Sequence, residues 1–246
     1  MPRAETVPGF PRRKVTAIVR RRKAWNQPLE TEEEIALALS LERFSRYLGW
    51  AGGNRARGLD LYALNTRISE ALYTPLQVLE IVLRNRIHAV MSEHRHEHWH
   101  HDEGFLLIKN QRHQLDKAIQ DLKDDGKLPS PGRVVAALTF SFWTSMLSPA
   151  YDMLWQTGLH RIAKKENGKG VRRKDLSAPL APIRTLRNRV AHHEPILQWN
   201  LPKHYANMLQ IIGWLSPPAA VWCRTLSRFE IVYPPNGIEL IRAPKG

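Results

Sequence analysis

Thr74-Pro75-Leu76-Gln77-Val78-Leu79-Glu80-Ile81-Val82-Leu83-Arg84-Asn85-Arg86-Ile87-His88-Ala89-Val90-Met91 is the stretch on which the fold class turns. Its apolar residues Leu76, Leu79, Val82, Leu83, Ile87, Val90 and Met91 recur at the three- and four-residue steps that line one face of an α-helix. Thr74 is placed to cap the N-terminus, Pro75 to take the first helical position and Gln77 to close a capping box. Such a face needs other helices to cover it, and the chain supplies them on both sides.

Upstream, Thr31 and Glu34 make another capping box, with Glu32 and Glu33 suited to a first helical turn. A helix is expected from there to Trp50, stopped by Gly52-Gly53, and a further one over about 59–73. Downstream, helices are expected over about 105–123, ending at Gly126, and from Ser130-Pro131 through Met146, broken at Pro149 and resumed over about 151–165. Residues 166–174 read as a basic loop. Helix resumes from Leu180 or Pro182, and Pro195 halts it soon after Glu194. Two more, over about 202–215 and 217–228, are split by Pro217-Pro218. The tail from Phe229 to Arg242 alternates weakly around Pro234-Pro235-Asn236-Gly237, the pattern of a small β-hairpin. The expected architecture is therefore all-α, a single helical bundle over 31–228. An extended basic arm at 1–30, with Arg12-Arg13-Lys14 and Arg20-Arg21-Arg22-Lys23, precedes it, and a tail or hairpin at 229–246 follows.

The 246 residues are 43% hydrophobic and include eight tryptophans, enough to fill a sizeable core. A formal net charge of +14 favours a polyanionic partner through phosphate contacts and counterion release. Cys223 is the single cysteine, which excludes an internal disulfide and a cysteine zinc site; its apolar setting beside Trp222 predicts a buried thiol. The basic N-terminus lacks the apolar segment of a secretory signal, and no apolar run is long enough to span a bilayer. A soluble, cytoplasmic protein with no membrane partner is expected. No glycine-rich phosphate loop with its lysine is present, so neither nucleotide fuel nor any other cofactor is expected.

The chemistry gathers in Arg187-Asn188-Arg189-Val190-Ala191-His192, followed at once by His193 and Glu194. A guanidinium carries a permanent charge in a fork that fits phosphate oxygens. Imidazole lends and takes protons near neutral pH. Arg187 and His192 stand about 140° apart around an ideal helix, so they converge on one phosphate only at a helix end or in a groove shared with another helix or subunit. Asn188 and His192 share a face. Together such groups can cut RNA without a metal. The 2′-hydroxyl attacks the neighbouring phosphate, an imidazole moves the proton, and the guanidinium holds the charge that grows on the phosphorane oxygens. The products are a 2′,3′-cyclic phosphate and a 5′-hydroxyl, and DNA is spared for want of the 2′-hydroxyl.

A second histidine cluster competes for attention: His94, His96, His98, His100 and His101, with Glu93, Glu97, Asp102 and Glu103 among them. His94 and His98, at i and i+4 on a helix, have the spacing to hold zinc or nickel. Glu97 stands directly before His98, however, which departs from His-Glu-x-x-His, and no downstream ligand follows. A solvated helix end with no metal is the expectation.

Arg187-Asn188 followed by Ala191-His192-His193 resembles the motif of the Abi-like (abortive infection) family of the HEPN superfamily. In that superfamily an arginine, commonly followed by asparagine, precedes a histidine by four to six residues. Arg187 and His192 match the four-residue form. Arg187 and His193 satisfy a five-residue form, and the family's first histidine is the usual match. Leu79 to Arg86, with Glu80, Arg84 and Asn85, resembles the family's early helix, where Glu80 and Arg84 at i and i+4 make a natural ion pair. Phe140-Ser141-Phe142-Trp143 resembles its central aromatic segment. These likenesses span about residues 30 to 230.

The resemblance implies a HEPN-like helical bundle with extra helices, pairing as a homodimer that sets two motifs across one cleft. It implies a metal-independent endoribonuclease of phage defence or a toxin–antitoxin system, with RNA as substrate and an antitoxin, protein or RNA, as restraint. Arg187 and His192 are then catalytic, Asn188 and His193 supporting, and Glu80, Arg84 and Asn85 RNA-binding or structural. The alternative is a non-catalytic helical module that binds RNA or neutralises a toxin. A third reading is a scaffold whose basic surface meets an acidic protein.

Overall fold

The structure is a computed structural model that describes residues 29–102 and 104–241, with side chains from Glu33 onward. The basic arm falls outside these residues except for Leu29 and Glu30, which are already helical. The chain divides into two compact units, Met1–Leu59 with Arg242–Gly246, and Asp60–Ile241.

In the first unit α1 spans Leu29–Ala38 and α2 Leu41–Trp50. The single helix expected here is cut at Ser40, which sits at φ 72. The helix also begins two residues before Thr31, so Thr31 is not its cap. Phe44 and Tyr47 form the buried stripe of α2, and Phe44 packs so close to Gly58 that a β-carbon there would lie 3.0 Å from its ring.

α3 spans Arg55–His94, a 40-residue helix that begins in the first unit and continues through the second. The two helices expected on either side of Thr74-Pro75 are thus one. Pro75 removes one ladder hydrogen bond, a cost of about 3 kcal/mol. Against it stands an unbroken run of fully enclosed side chains, Ile68, Leu72, Leu79, Leu83, Ile87 and Met91. Burying each contributes about 1.5–3 kcal/mol, so packing outweighs the proline.

The rest of the second unit comprises α4 (Lys109–Asp124), α5 (Pro131–Ala137), α6 (Phe140–Ser145), α7 (Asp152–Thr157), α8 (Arg173–Ala191), α9 (Leu201–Leu215), α10 (Pro217–Leu226) and α11 (Phe229–Val232). Single 3-10 turns occupy Trp99–His101, Pro149–Tyr151 and Leu159–Ile162. The segment expected as one helix to Met146 divides at Thr139, whose hydroxyl caps α6 by accepting from the Phe142 amide (3.3 Å). The buried Gln111 side chain accepts from the Tyr151 hydroxyl (2.6 Å) and donates to the Phe142 carbonyl (2.9 Å), locking α4 to α6.

α8 starts at Arg173 and runs through Pro179 and Pro182 rather than starting after them. Leu176, Leu180, Ile183 and Leu186 give it a buried face at three- and four-residue steps. The C-terminal tail is not a hairpin. Phe229–Val232 is a helical turn, held by Phe229 stacking between Tyr205 (4.5 Å) and Tyr233 (5.3 Å). The β pairing among the described residues is one isolated bridge, Lys164 to Gly170, so the fold is all-α. No helix among them is long and apolar enough to cross a membrane. Cys223 is buried, and burial raises its thiol pKa, so it stays protonated.

Candidate functional site at the end of α8

α8 ends at Ala191, before Pro195 has any say. His192 closes the helix by donating its amide to the Asn188 carbonyl (2.9 Å). His193 then takes φ 57, and the next two bonds follow: His193 N–H to the Val190 carbonyl (3.2 Å) and Glu194 N–H to the Arg189 carbonyl (2.8 Å). This is a Schellman turn, which normally places glycine where His193 stands. A side chain in this left-handed conformation costs about 1–2 kcal/mol. Such strain at a non-glycine residue directs attention to the group that bears it.

The turn is held from outside by a residue that the motif does not contain. Asn65, buried on α3, accepts from the Ile196 amide through Oδ1 (2.8 Å) and reaches the Glu194 carbonyl through Nδ2 (3.5 Å). A signal for it exists in the sequence: Asn65 lies on the apolar stripe Leu61, Ile68, Leu72, where an amide needs a specific partner. Farther up α8, Arg187 Nε lies 3.5 Å from the Glu80 carboxylate of α3, with side chains 39% and 20% exposed. The ion pair expected between Glu80 and Arg84 is replaced by this one. Arg84 donates instead to the Ala136 carbonyl (3.3 Å), and Asn85 is exposed. The pairs Glu80–Arg187 and Asn65–Ile196 run in opposite chain order, so α8 and its turn lie antiparallel to α3.

Arg189, the second arginine of the motif, is spent on the turn. It pairs with Glu194 (3.1 Å), donates to the Pro195 carbonyl (3.4 Å) and sits 5.6 Å over the Trp199 ring. Arg187, 39% exposed against 29% for Arg189, is the more accessible guanidinium of the two. His192 and His193 are both exposed, and Asn188 shares the solvent face with His192. His193, with Val190, lines a cleft of about 810 Å³ against α3, where Tyr62, Thr66, Arg67 and Tyr73 form the other wall and Arg228 the rim. No hydrogen bond joins Arg187 to either imidazole among the described residues. The structure gathers the groups onto one helix end, with Arg187 and His193 on the α3 side and His192 beside Asn188.

The competing histidine cluster is built differently. α3 ends at His94, so His94 and His98 do not share a helix and the metal spacing is lost. His96 and Arg95 are both bound to Asp102 (2.8 and 3.2 Å). His100 is 2% exposed, and neither ring nitrogen has a hydrogen-bond partner among the described residues. Burial, then the neighbouring His101, His88 and His98, push its pKa down to about 4, against a small opposing pull from Asp102. Among the described residues no three His, Cys, Asp or Glu side chains gather as a metal site.

Comparison with protein-family models, curated proteins and solved structures finds no match to this chain.

Proposed function

We propose that the protein is a metal-independent endoribonuclease of the HEPN type, acting in phage defence or a toxin–antitoxin system. One observation carries this reading: a partly exposed guanidinium and two exposed imidazoles stand between Arg187 and His193, at and just past the end of α8, with His193 strained in its turn and lining an open cleft. Nothing in the helix's own packing calls for histidine at the strained position, where glycine would be cheaper.

In the reaction, Arg187 holds the non-bridging oxygens of the scissile phosphate. Glu80 positions its guanidinium, and Asn65 and Arg189 hold the turn that carries the histidines. His192 moves the proton between the 2′-hydroxyl and the departing 5′-oxygen. A full cycle needs an acid and a base. His193 is the second imidazole within one chain, and His192 of a second copy is the other source. The bound strand lies across the helix end with its flanking nucleotide in the cleft against Tyr62 and Tyr73.

The test is direct. Purified protein is incubated with single-stranded RNA and its DNA counterpart in EDTA, and the ends are analysed. Cleavage of RNA alone, leaving 2′,3′-cyclic phosphates, supports the proposal. Cleavage that vanishes on chelation and returns with zinc refutes the metal-independent mechanism. RNA binding without cleavage across varied sequences favours the alternative, a binding or toxin-neutralising module.

A further inference from the structure

A second concavity, about 1,140 Å³, lies away from the end of α8. Its floor is the apolar face formed by Leu209 and Trp214 of α9 with Ala220 and Val221 of α10. Arg86 of α3 and the 161–167 segment form one wall, and Arg224 stands on the other. Five cations line it (Arg86, Arg161, Lys164, Lys165 and Arg224) against two carboxylates, Glu166 and Glu230.

The basic wall is preformed. Lys164 N–H donates to the Trp214 carbonyl (2.9 Å), fixing the segment to the end of α9. The bridge to Gly170 and the bond from Lys165 N–H to the Lys169 carbonyl (2.8 Å) close a tight turn, with Gly168 at φ 77. The basic loop expected over 166–174 is therefore a shaped turn, and Lys164 and Lys165 belong to it rather than to the helix expected to reach 165. Arg86 donates to the carbonyls of Arg161 (3.1 Å) and Ile162 (3.2 Å), holding the segment from behind. Arg161 is paired with Glu93 and Lys165 with Asp175, whereas Lys164 and Arg224 form no ion pair among the described residues. Charges left uncompensated across an apolar floor fit a ligand with anionic and flat apolar parts together.

We infer that this groove binds single-stranded RNA, with phosphates on Lys164 and Arg224 and a base against the partly exposed Trp214. Strand-binding proteins combine a cationic track with an aromatic platform in this way. An acidic peptide would use the cations and leave the apolar floor and the indole without partners. Arg86 lies six residues along α3 from Glu80, an axial rise of about 9 Å. One helix thus carries both the support of the cutting arginine and the back of the groove. The inference takes its ligand from the ribonuclease reading, and its readout is binding rather than cleavage.

The full chain carrying Arg187→Ala, which on the ribonuclease reading slows cutting by about 10²–10³, is titrated with a labelled single-stranded RNA of twelve nucleotides at KCl from 50 to 300 mM, by fluorescence anisotropy. Adding Lys164→Glu and Arg224→Glu should weaken binding at least tenfold. It should also flatten the log–log salt dependence by about 1.4, since each phosphate contact on a single strand contributes about 0.7. Trp214→Leu should weaken binding by about tenfold with the salt slope unchanged, the signature of lost stacking. The milder Lys164→Gln with Arg224→Gln, checked by circular dichroism, should weaken binding by less than the reversal while leaving the helical signal intact. Unchanged affinity and slope in the charge-reversed protein overturn the inference. So does failure of the parent to bind RNA at 50 mM KCl. Binding through the groove by a wild-type chain that leaves RNA uncut refutes the ribonuclease reading and leaves the groove standing.

Discussion

Two stretches of this chain place adjacent histidines just past the end of a helix, and the fold treats them in opposite ways. At the end of α8, His192 and His193 stay exposed beside an arginine, in a turn that bears strain to hold them. After α3, His100 is folded inward against Trp99 (ring centres 5.5 Å apart), its nitrogens without partners among the described residues. Trp99 itself is enclosed by Phe105 and Trp143, and its indole donates to His88 (3.1 Å). The denser histidine cluster is thus the less equipped for chemistry. Exposure, a nearby guanidinium and a held backbone make a candidate site; a count of imidazoles does not.

The comparison breaks first at Arg187 and His192. Arg187→Ala should lower the rate of RNA cleavage by about 10²–10³, as loss of an oxyanion-stabilising donor does, and His192→Ala by about 10²–10⁴. Both should melt within a few degrees of the parent. Unimpaired cleavage by the double variant would end the assignment.

The buried histidine makes the opposite prediction, for stability. His100 has its pKa lowered to about 4 in the fold, against 6.5 when unfolded. Below pH 6.5 the unfolded chain takes up a proton that the native state refuses. Stability is therefore complete above pH 6.5 and falls by about 1.4 kcal/mol per pH unit toward 4. Burial lowers His88 and His204 too, with the same sign. Urea denaturation at pH 7 and pH 5 should show the loss, and His100→Phe should shrink the difference while RNA cleavage at pH 7 is unaltered. An equal loss in the variant would place the acid sensitivity elsewhere.

Smaller effects sharpen the contrast. Asn65→Ala strips the Ile196 amide of its partner and should cost about 1–3 kcal/mol in urea denaturation; no change would mean that the turn after α8 holds itself. His193→Gly should do the reverse, adding about 1 kcal/mol by relieving the left-handed backbone while slowing cleavage. A variant that gains stability and keeps full activity would show that the strain at His193 serves no chemistry.

The helical class was legible because apolar spacing of three and four residues recurs along α3, α8 and α9. The prolines misled. Pro75, Pro179 and Pro182 each read locally as a boundary, yet each lies inside a helix whose buried face outweighs one missing hydrogen bond. The breaks at Ser40 and Thr139 were not read, because each is a local backbone event: Ser40 takes φ 72, which its residue type does not announce, and Thr139 turns its hydroxyl onto the Phe142 amide as a cap within a stretch that reads as continuous. The short tail alternated too weakly to distinguish strand from turn, and the aromatic stack on Phe229 decided it. At the site, the motif residues stood out in sequence, but their supports did not. Glu80 chose Arg187, more than a hundred positions away, over its helical neighbour Arg84. A carboxylate's partner across a helix interface is set by packing that no local spacing encodes.

The hydrogen bond that the Ile196 amide donates to Asn65 spans 131 positions of the chain. The two halves of the clasp are thus written far apart in the chain, and α3 can be complete while the turn after α8 stays unfastened until residues 194–196 have been added. Closure of that turn reports that both helices have been finished and docked.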